Sequence, residues 1–252
     1  MKKIIILLAL ATTLFSACKN PENQPVNDDA DFDFVIDRFA DIEIMRYRVD
    51  DWDSLSLQQK ELVYYLSQAA CCGRDILFDQ NCEANLLVKS TIDNIFQSYN
   101  GDKSNEDWMN FVVYAKRFWF SNGIHHHYAN DKFFPEISRE YFISLLDNSN
   151  QNEFELDDYQ SFEEFKNDIV DIVFNPERYP NKICQNTDVD LVKNSAVNFY
   201  SGVSEKEVES YYQQLKSNFP SADPERAISY GLNSKLIKNA DGQVVEDVYK
   251  AD

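Results

Sequence analysis

The stretch Ser104-Asn-Glu-Asp-Trp-Met-Asn-Phe-Val-Val-Tyr-Ala-Lys-Arg-Phe-Trp-Phe-Ser-Asn-Gly123 decides the fold class. Ser104, with Asp107 three residues on, reads as a helix start. Trp108, Phe111, Val112, Ala115, Phe118 and Trp119 then recur at three- and four-residue spacing, so one helical face is apolar and turned inward. Asn122-Gly123 is a helix-terminating pair, because both residues accept left-handed backbone. Upstream, Ser56-Leu-Gln-Gln59 is a capping box, and Leu62, Leu66, Ala69, Cys72 and Ile76 behind it predict a second buried stripe. A helix over about Cys82–Tyr99 lies between the two and ends at Asn100-Gly101. Downstream, Ser138–Leu146, a Ser161-capped segment stopping before Asn175-Pro176, Asp188–Asn198 and Ser204–Asn218 read as further helices. The last of these carries a Ser204–Glu207 box. Asp147–Asp158 is a polar, acidic connection and Phe32–Val49 an extended lead-in. The period changes at the end, where Ser229–Lys238 and Gln243–Lys250 flank the turn signal Asn239-Ala-Asp-Gly242. The expected fold is therefore mainly α with a small β element (α+β), the β part being a two-stranded hairpin.

Composition excludes several functions. The chain has 252 residues, 44% of them apolar, which separates it from disordered and fibrous proteins. With 43 acidic against 24 basic side chains the net charge is −19, so a nucleic-acid partner is not expected, since phosphate binding needs clustered Lys and Arg. Only six glycines occur, and neither GxxxxGK[ST] nor GxGxxG is present, which removes the phosphate-cradling loops of nucleotide-binding folds.

The first residues read as an address. Met1-Lys2-Lys3 precedes an apolar run from Ile4 to Leu14, too short for the roughly 20 residues that span a bilayer but long enough for a secretory signal. The run closes in Leu14-Phe-Ser-Ala-Cys18, which resembles a bacterial lipoprotein box, with Phe15 where Leu is commoner. Residues 1–17 are thus expected to be removed and Cys18 to carry the lipid, anchoring the chain to the cell envelope. Residues 18–31 are polar, with two prolines. They cannot bury enough surface to fold and should tether the 32–252 body to the membrane, holding it roughly 20 Å away.

Chemistry-bearing clusters are few. His125, His126 and His127 are consecutive. On extended backbone His125 and His127 point the same way and form a weak candidate metal pair, with any third ligand coming from elsewhere. No HExxH string exists. A polar loop with surface or hydrogen-bonded histidines is the plainer expectation. Asp157-Asp158 and Glu163-Glu164 are paired carboxylates, but one pair sits in a linker and the other in a first helical turn, where negative charge suits the helix dipole. No GxSxG occurs, and most serines stand at N-caps. Cys71, Cys72, Cys82 and Cys184 lack CxxC spacing. Buried thiols are expected, with a Cys72–Cys82 or Cys82–Cys184 bridge as the alternative. Residue chemistry alone supports no catalytic site.

An ordered set of strings adds a resemblance. Glu61-Leu-Val-Tyr-Tyr-Leu66-Ser-Gln-Ala-Ala70 with Gly73, Phe111-Val-Val-Tyr-Ala115, and Ser121-Asn-Gly123 with Tyr128, Asp131-Lys-Phe133 and Pro135 resemble the dipeptidyl-peptidase III family. So do Phe199-Tyr-Ser-Gly202, Asn233-Ser-Lys-Leu236 and Asp241-Gly242, and together the matches keep their order over about Asp53 to Lys250. The resemblance implies the N-terminal part of the lower lobe of a two-lobed zinc exopeptidase that removes dipeptides from oligopeptide substrates. In that family an HExxGH helix and a later glutamate hold the zinc. Neither is present here, so no catalytic or zinc-ligand role passes to any residue of this chain, and the sequence looks like a truncated member. The alternative is a non-catalytic surface lipoprotein that binds peptides or glycans.

Overall fold

The computed structural model describes residues 32–218 and 233–250. Cys18, with the leader and tether, lies outside these residues, as does the start of the strand expected from Ser229. Helices dominate, with two small sheets, so the fold is α+β. The described residues divide into two units, one up to Val49 and one from Asp50.

In the first unit the expected lead-in is extended but folds back on itself. β1 (Val35–Phe39) pairs antiparallel with β2 (Ile42–Met45), through a turn in which Ala40 takes left-handed backbone at φ 47°. The Arg46 guanidinium lies 4.6 Å from the Phe32 ring centroid, and its Nε donates to the Asp33 carbonyl at 2.6 Å.

The second unit starts with α1 (Leu57–Cys72). Ser56 Oγ accepts from Gln59 N at 3.3 Å and Gln59 Oε1 accepts from Ser56 N at 2.9 Å, so the capping box forms as read. The burial of its stripe does not. Leu62, Leu66, Ala69 and Cys72 are exposed, and α1 has no buried residue. Nor does the helix reach Ile76, because Gly73 separates it from α2 (Arg74–Asn81). The principal packing neighbour of α1 among the described elements is α2, which follows it directly and leaves the stripe uncovered.

The core lies between α2, α3 (Asn85–Ser98), α4 (Glu106–Ser121), α5 (Arg139–Asp147) and α6 (Phe162–Phe174). Phe78, Ile92, Phe111, Phe118, Phe142 and Phe165 are fully enclosed there. Ring pairs such as Phe78–Phe118, with centroids 5.5 Å apart, take tilted geometries that favour quadrupole contact. The cap of α4 is Asn105 rather than Ser104. Asn105 Oδ1 accepts from Trp108 N at 2.7 Å, while the Ser104 hydroxyl is diverted to Asp102 Oδ1 at 2.6 Å. Likewise α3 begins at Asn85, because Cys82 is extended.

Two further expectations change. Residues 188–198 form turns instead of a helix. Asp190 is the cause: its carboxylate accepts from Lys193 N and from Glu205 N, which draws the backbone out of helical register. The terminal hairpin, β4 (Ser234–Lys238) with β5 (Val244–Val248), is not alone, since β3 (Tyr200–Ser201) pairs parallel to β4 with Tyr200 opposite Leu236. Two residues are too few to announce a strand in sequence. The Ser204–Glu207 box at the start of α7 (Glu205–Asn218) forms through the glutamate: Glu207 Oε2 accepts from Ser204 N at 2.9 Å and from the Ser204 hydroxyl at 2.7 Å. Val203, Val208 and Leu236 form a small second core. Asp79 of α2 ties this sheet to the helices: it pairs with Lys235 Nζ at 2.8 Å and accepts from Asn198 Nδ2 and the Tyr249 hydroxyl.

Candidate functional site: the histidine loop and the cavities beside Tyr179

The loop after α4 is built on a buried asparagine. Asn122 ends the helix in left-handed backbone at φ 52°, and Gly123 follows at φ 143°. A Cβ on Gly123 would lie 2.1 Å from Asn85 Nδ2, so glycine is required there. Asn85 uses that proximity. Its amide donates to the Phe78 carbonyl at 3.0 Å and its Oδ1 accepts from Ile124 N at 3.2 Å, joining α2, α3 and the loop.

The three histidines then take three different environments. His125 is buried, and its Nε2 lies 2.9 Å from the Tyr179 carbonyl. A carbonyl only accepts, so Nε2 carries the proton and Nδ1 is the bare nitrogen; it is buried and has no hydrogen-bond partner among the described residues. Burial, reinforced by Lys132 and Lys182, pushes the His125 pKa down to about 4, against the pull of the Tyr179 hydrogen bond. His126 Nδ1 accepts from Tyr128 N and Ala129 N, closing a tight turn. His127 packs edge-on to Phe120 and against the ring of Tyr128, which is 93% exposed.

These environments do not make the metal pair that extended backbone suggested for His125 and His127. His125 turns Nε2 to the Tyr179 carbonyl and keeps its bare Nδ1 enclosed, and among the described residues no group of three or more His, Cys, Asp or Glu is placed to hold a metal ion.

What the loop does is stitch two segments together. Lys132 Nζ donates to the carbonyls of Asn175 and Arg178 at 2.7 and 2.8 Å, completing the C-terminus of α6 with a positive charge. Burial lowers the Lys132 pKa to about 8. Asn130 pairs its side chain with both N and O of Ile183 at 2.6 Å. Arg178 binds Asp168 and Asp171, and Asp168 also accepts from the Tyr159 hydroxyl at 2.7 Å.

Tyr179 turns the chain here, a non-glycine residue at φ 54° whose hydroxyl donates to Glu83 Oε1 at 2.9 Å. Tyr179 and Glu83 form a shared wall between two cavities. One, of about 520 Å³, runs along Lys193–Asn198 and Tyr200–Val203. The other, of about 430 Å³, is lined by Glu155, Asp157, Asp158, Asp168, Tyr159 and Arg178. Asp157-Asp158 thus face a cavity instead of a plain linker, whereas Glu163-Glu164 sit in the first turn of α6 as read. Sequence reasoning missed Asn85, Glu83 and Tyr179, since nothing local marks a backbone strain or a contact across 96 residues.

The four cysteines among the described residues, Cys71, Cys72, Cys82 and Cys184, are free. Cys82 is buried and its thiol is pushed up to about 12 by that burial, which disfavours the thiolate that a nucleophile needs. Cys71 and Cys72 are exposed, contrary to the expectation of buried thiols, because they end the uncovered α1. Among the described residues no helix is long and apolar enough to cross a membrane. No protein-family model matches this chain, and no curated protein matches it at a significant level.

Proposed function

We propose that this chain is the N-terminal part of one lobe of a dipeptidyl-peptidase III-like zinc exopeptidase, acting on oligopeptides, with the zinc chemistry supplied by polypeptide outside it. One observation carries the proposal. Two of the strings behind the resemblance, distant in sequence, meet: Phe199-Tyr-Ser-Gly202 contains β3, Asn233-Ser-Lys-Leu236 enters β4, and the two pair in register. Phe111-Val-Val-Tyr-Ala115 lies within α4, and Ser121-Asn-Gly123 ends it at the Asn85 clamp.

On this proposal the chain alone neither binds catalytic zinc nor releases dipeptides. The test is sequencing of the DNA downstream of codon 252 together with an assay of the purified 252-residue chain on dipeptidyl-naphthylamides. An in-frame HExxGH and an inactive chain support it. Zinc-dependent dipeptide release by the chain itself overturns it. Membrane attachment through Cys18 is a separable part of the proposal, and Cys18→Ser should move the protein out of the membrane fraction; unchanged fractionation and N-terminal mass refute the anchor.

The second reading, a non-catalytic surface lipoprotein for peptides or glycans, is favoured by the outward stack of Phe120, His127 and Tyr128. Tyr128→Ala abolishing binding to a peptide or glycan array would select it.

A further inference from the structure

Residues 179–183 lie across the histidine loop as a strap. His125 Nε2 donates to the Tyr179 carbonyl at 2.9 Å, and Lys182 N donates to the Asn130 carbonyl at 3.0 Å. Just before the strap, Arg178 is held by Asp168 and Asp171 of α6, and Lys132 Nζ holds the Arg178 carbonyl at 2.8 Å. On its other edge the strap accepts from Ala196 N and Val197 N through the carbonyls of Asn181 and Lys182. No helix or strand runs through it. Loop and strap are anchored unequally. Ile124 and Phe133 pin the loop in the core at 0% and 7% exposure, whereas Pro180 and Ile183 of the strap face solvent. An opening between the two therefore moves the strap.

The closed arrangement suits a neutral His125 and not a charged one. A second ring proton would sit on Nδ1, which is buried with no acceptor among the described residues. The charged groups that act on the ring are Lys132, its bridge partner on the loop, and Lys182 of the strap, both positive. The negative groups of the surrounding elements are engaged elsewhere or lie in water. Asp168 and Asp171 of α6 bind Arg178, Glu83 before α3 accepts from the Tyr179 hydroxyl, and Asp131 and Glu177 are exposed. From α4, Arg117 lies over the Phe133 ring, and Cys82 at the end of α2 is a buried thiol held neutral. On the loop itself His126 Nδ1 accepts from Tyr128 N and Ala129 N, and His127 packs on Phe120. An imidazolium in the closed state thus has an unsolvated N–H and two like charges. Lifting the strap brings water to the first and separates the ring from Lys182.

We propose that residues 179–183 are an acid-released closure: protonation of His125 lifts the strap from the loop and removes the Tyr179 side of the wall between the two cavities. The proposal does not rest on the peptidase reading. Its size follows from linkage. In the lifted state His125 titrates at its ordinary 6.5, and in the closed state near 4. At pH 7 the ring is mostly neutral in both states. At pH 5 the lifted state holds the proton and the closed state does not, so the lifted population should grow about twentyfold between pH 7 and pH 5.

Amide hydrogen exchange of the full chain at pH 7 and pH 5, corrected for the intrinsic rate, tests this. The Lys182, Ile183, Ala196 and Val197 amides report the strap, and those of Phe111–Phe118 in α4 report global unfolding. The strap amides should be less protected than α4 at both pH values and should lose about twentyfold in protection from pH 7 to pH 5. In His125→Gln, whose amide still donates to the Tyr179 carbonyl, that loss should shrink to within about twofold. Strap amides as protected as α4 at pH 5 overturn the proposal, since the strap would then open only when the whole unit unfolds. An equal loss in the wild type and His125→Gln overturns it too. A ring-proton titration of wild-type His125 needs no variant: a folded-state midpoint near 4 supports the closure, and one near 6.5 overturns it.

Discussion

α1 and α4 are the same length, 16 residues, and both begin with a side-chain N-cap that bonds the third residue along. Both carry apolar residues at helical spacing. α4 encloses Phe111, Ala115 and Phe118 completely, whereas α1 encloses nothing. Periodicity therefore reports which face of a helix requires cover. It does not report whether the cover is present, because that depends on segments far away in sequence or in another molecule. The contrast also separates two kinds of stability, one local to the helix and one supplied by packing.

The largest expected effect lies in α4. Phe118 is fully buried between Phe78 and the rest of the aromatic core, so Phe118→Ala removes its transfer free energy and opens a cavity. A loss of about 3–5 kcal/mol is expected, read as a drop in urea midpoint at constant slope. A loss below about 1 kcal/mol would mean the α4 core is as loose as α1.

The next effect belongs to the loop that α4 positions. His125 has a folded pKa near 4, below its ordinary 6.5, because burial disfavours the imidazolium. Between these values the unfolded chain binds the proton and the folded chain does not, so folding stability is full above pH 6.5 and falls as pH drops towards 4. The contribution is about 3 kcal/mol over the window. Other groups titrate there too, so the measure is the difference between the wild type and His125→Gln, whose amide can still donate to the Tyr179 carbonyl. Parallel curves for the two proteins would show that His125 is solvated.

Caps should erase the contrast between the helices. Ser56→Ala and Asn105→Ala each remove one acceptor for a first-turn N–H, at 3.3 and 2.7 Å. Each should cost about 1 kcal/mol of helix stability, because the interaction is local and does not need a packed face. Segment-resolved hydrogen exchange reads both helices in one experiment. If fraying followed only in α1, the Asn105 cap would be redundant with the packing of α4.

Much of the fold was legible because its signals are local. Ser138, Ser161 and Ser204 act at helix N-termini as read: Tyr141 N and Glu164 N bond the first two hydroxyls, and the third bonds Glu207. Asn122-Gly123 ends α4 in left-handed backbone. What was not legible depends on distant partners. The 188–198 segment has helical spacing, but Asp190 reaches across to Glu205 N. β3 exists because Leu236 lies beside Tyr200. In the site, three adjacent histidines looked like one feature. They became three because His125 is turned to the carbonyl of Tyr179, 54 residues later.

The smallest effect is the most telling about α1. Leu66 is 60% exposed, so Leu66→Ala gives up little buried area in a single copy, and alanine is the better helix former. Those two terms nearly cancel, and the expected change in unfolding free energy is within about 0.5 kcal/mol. Urea unfolding of the wild type and Leu66→Ala provides the comparison. A loss above about 2 kcal/mol would instead place Leu66 in a covered position, and α1 would join α4 as a core helix.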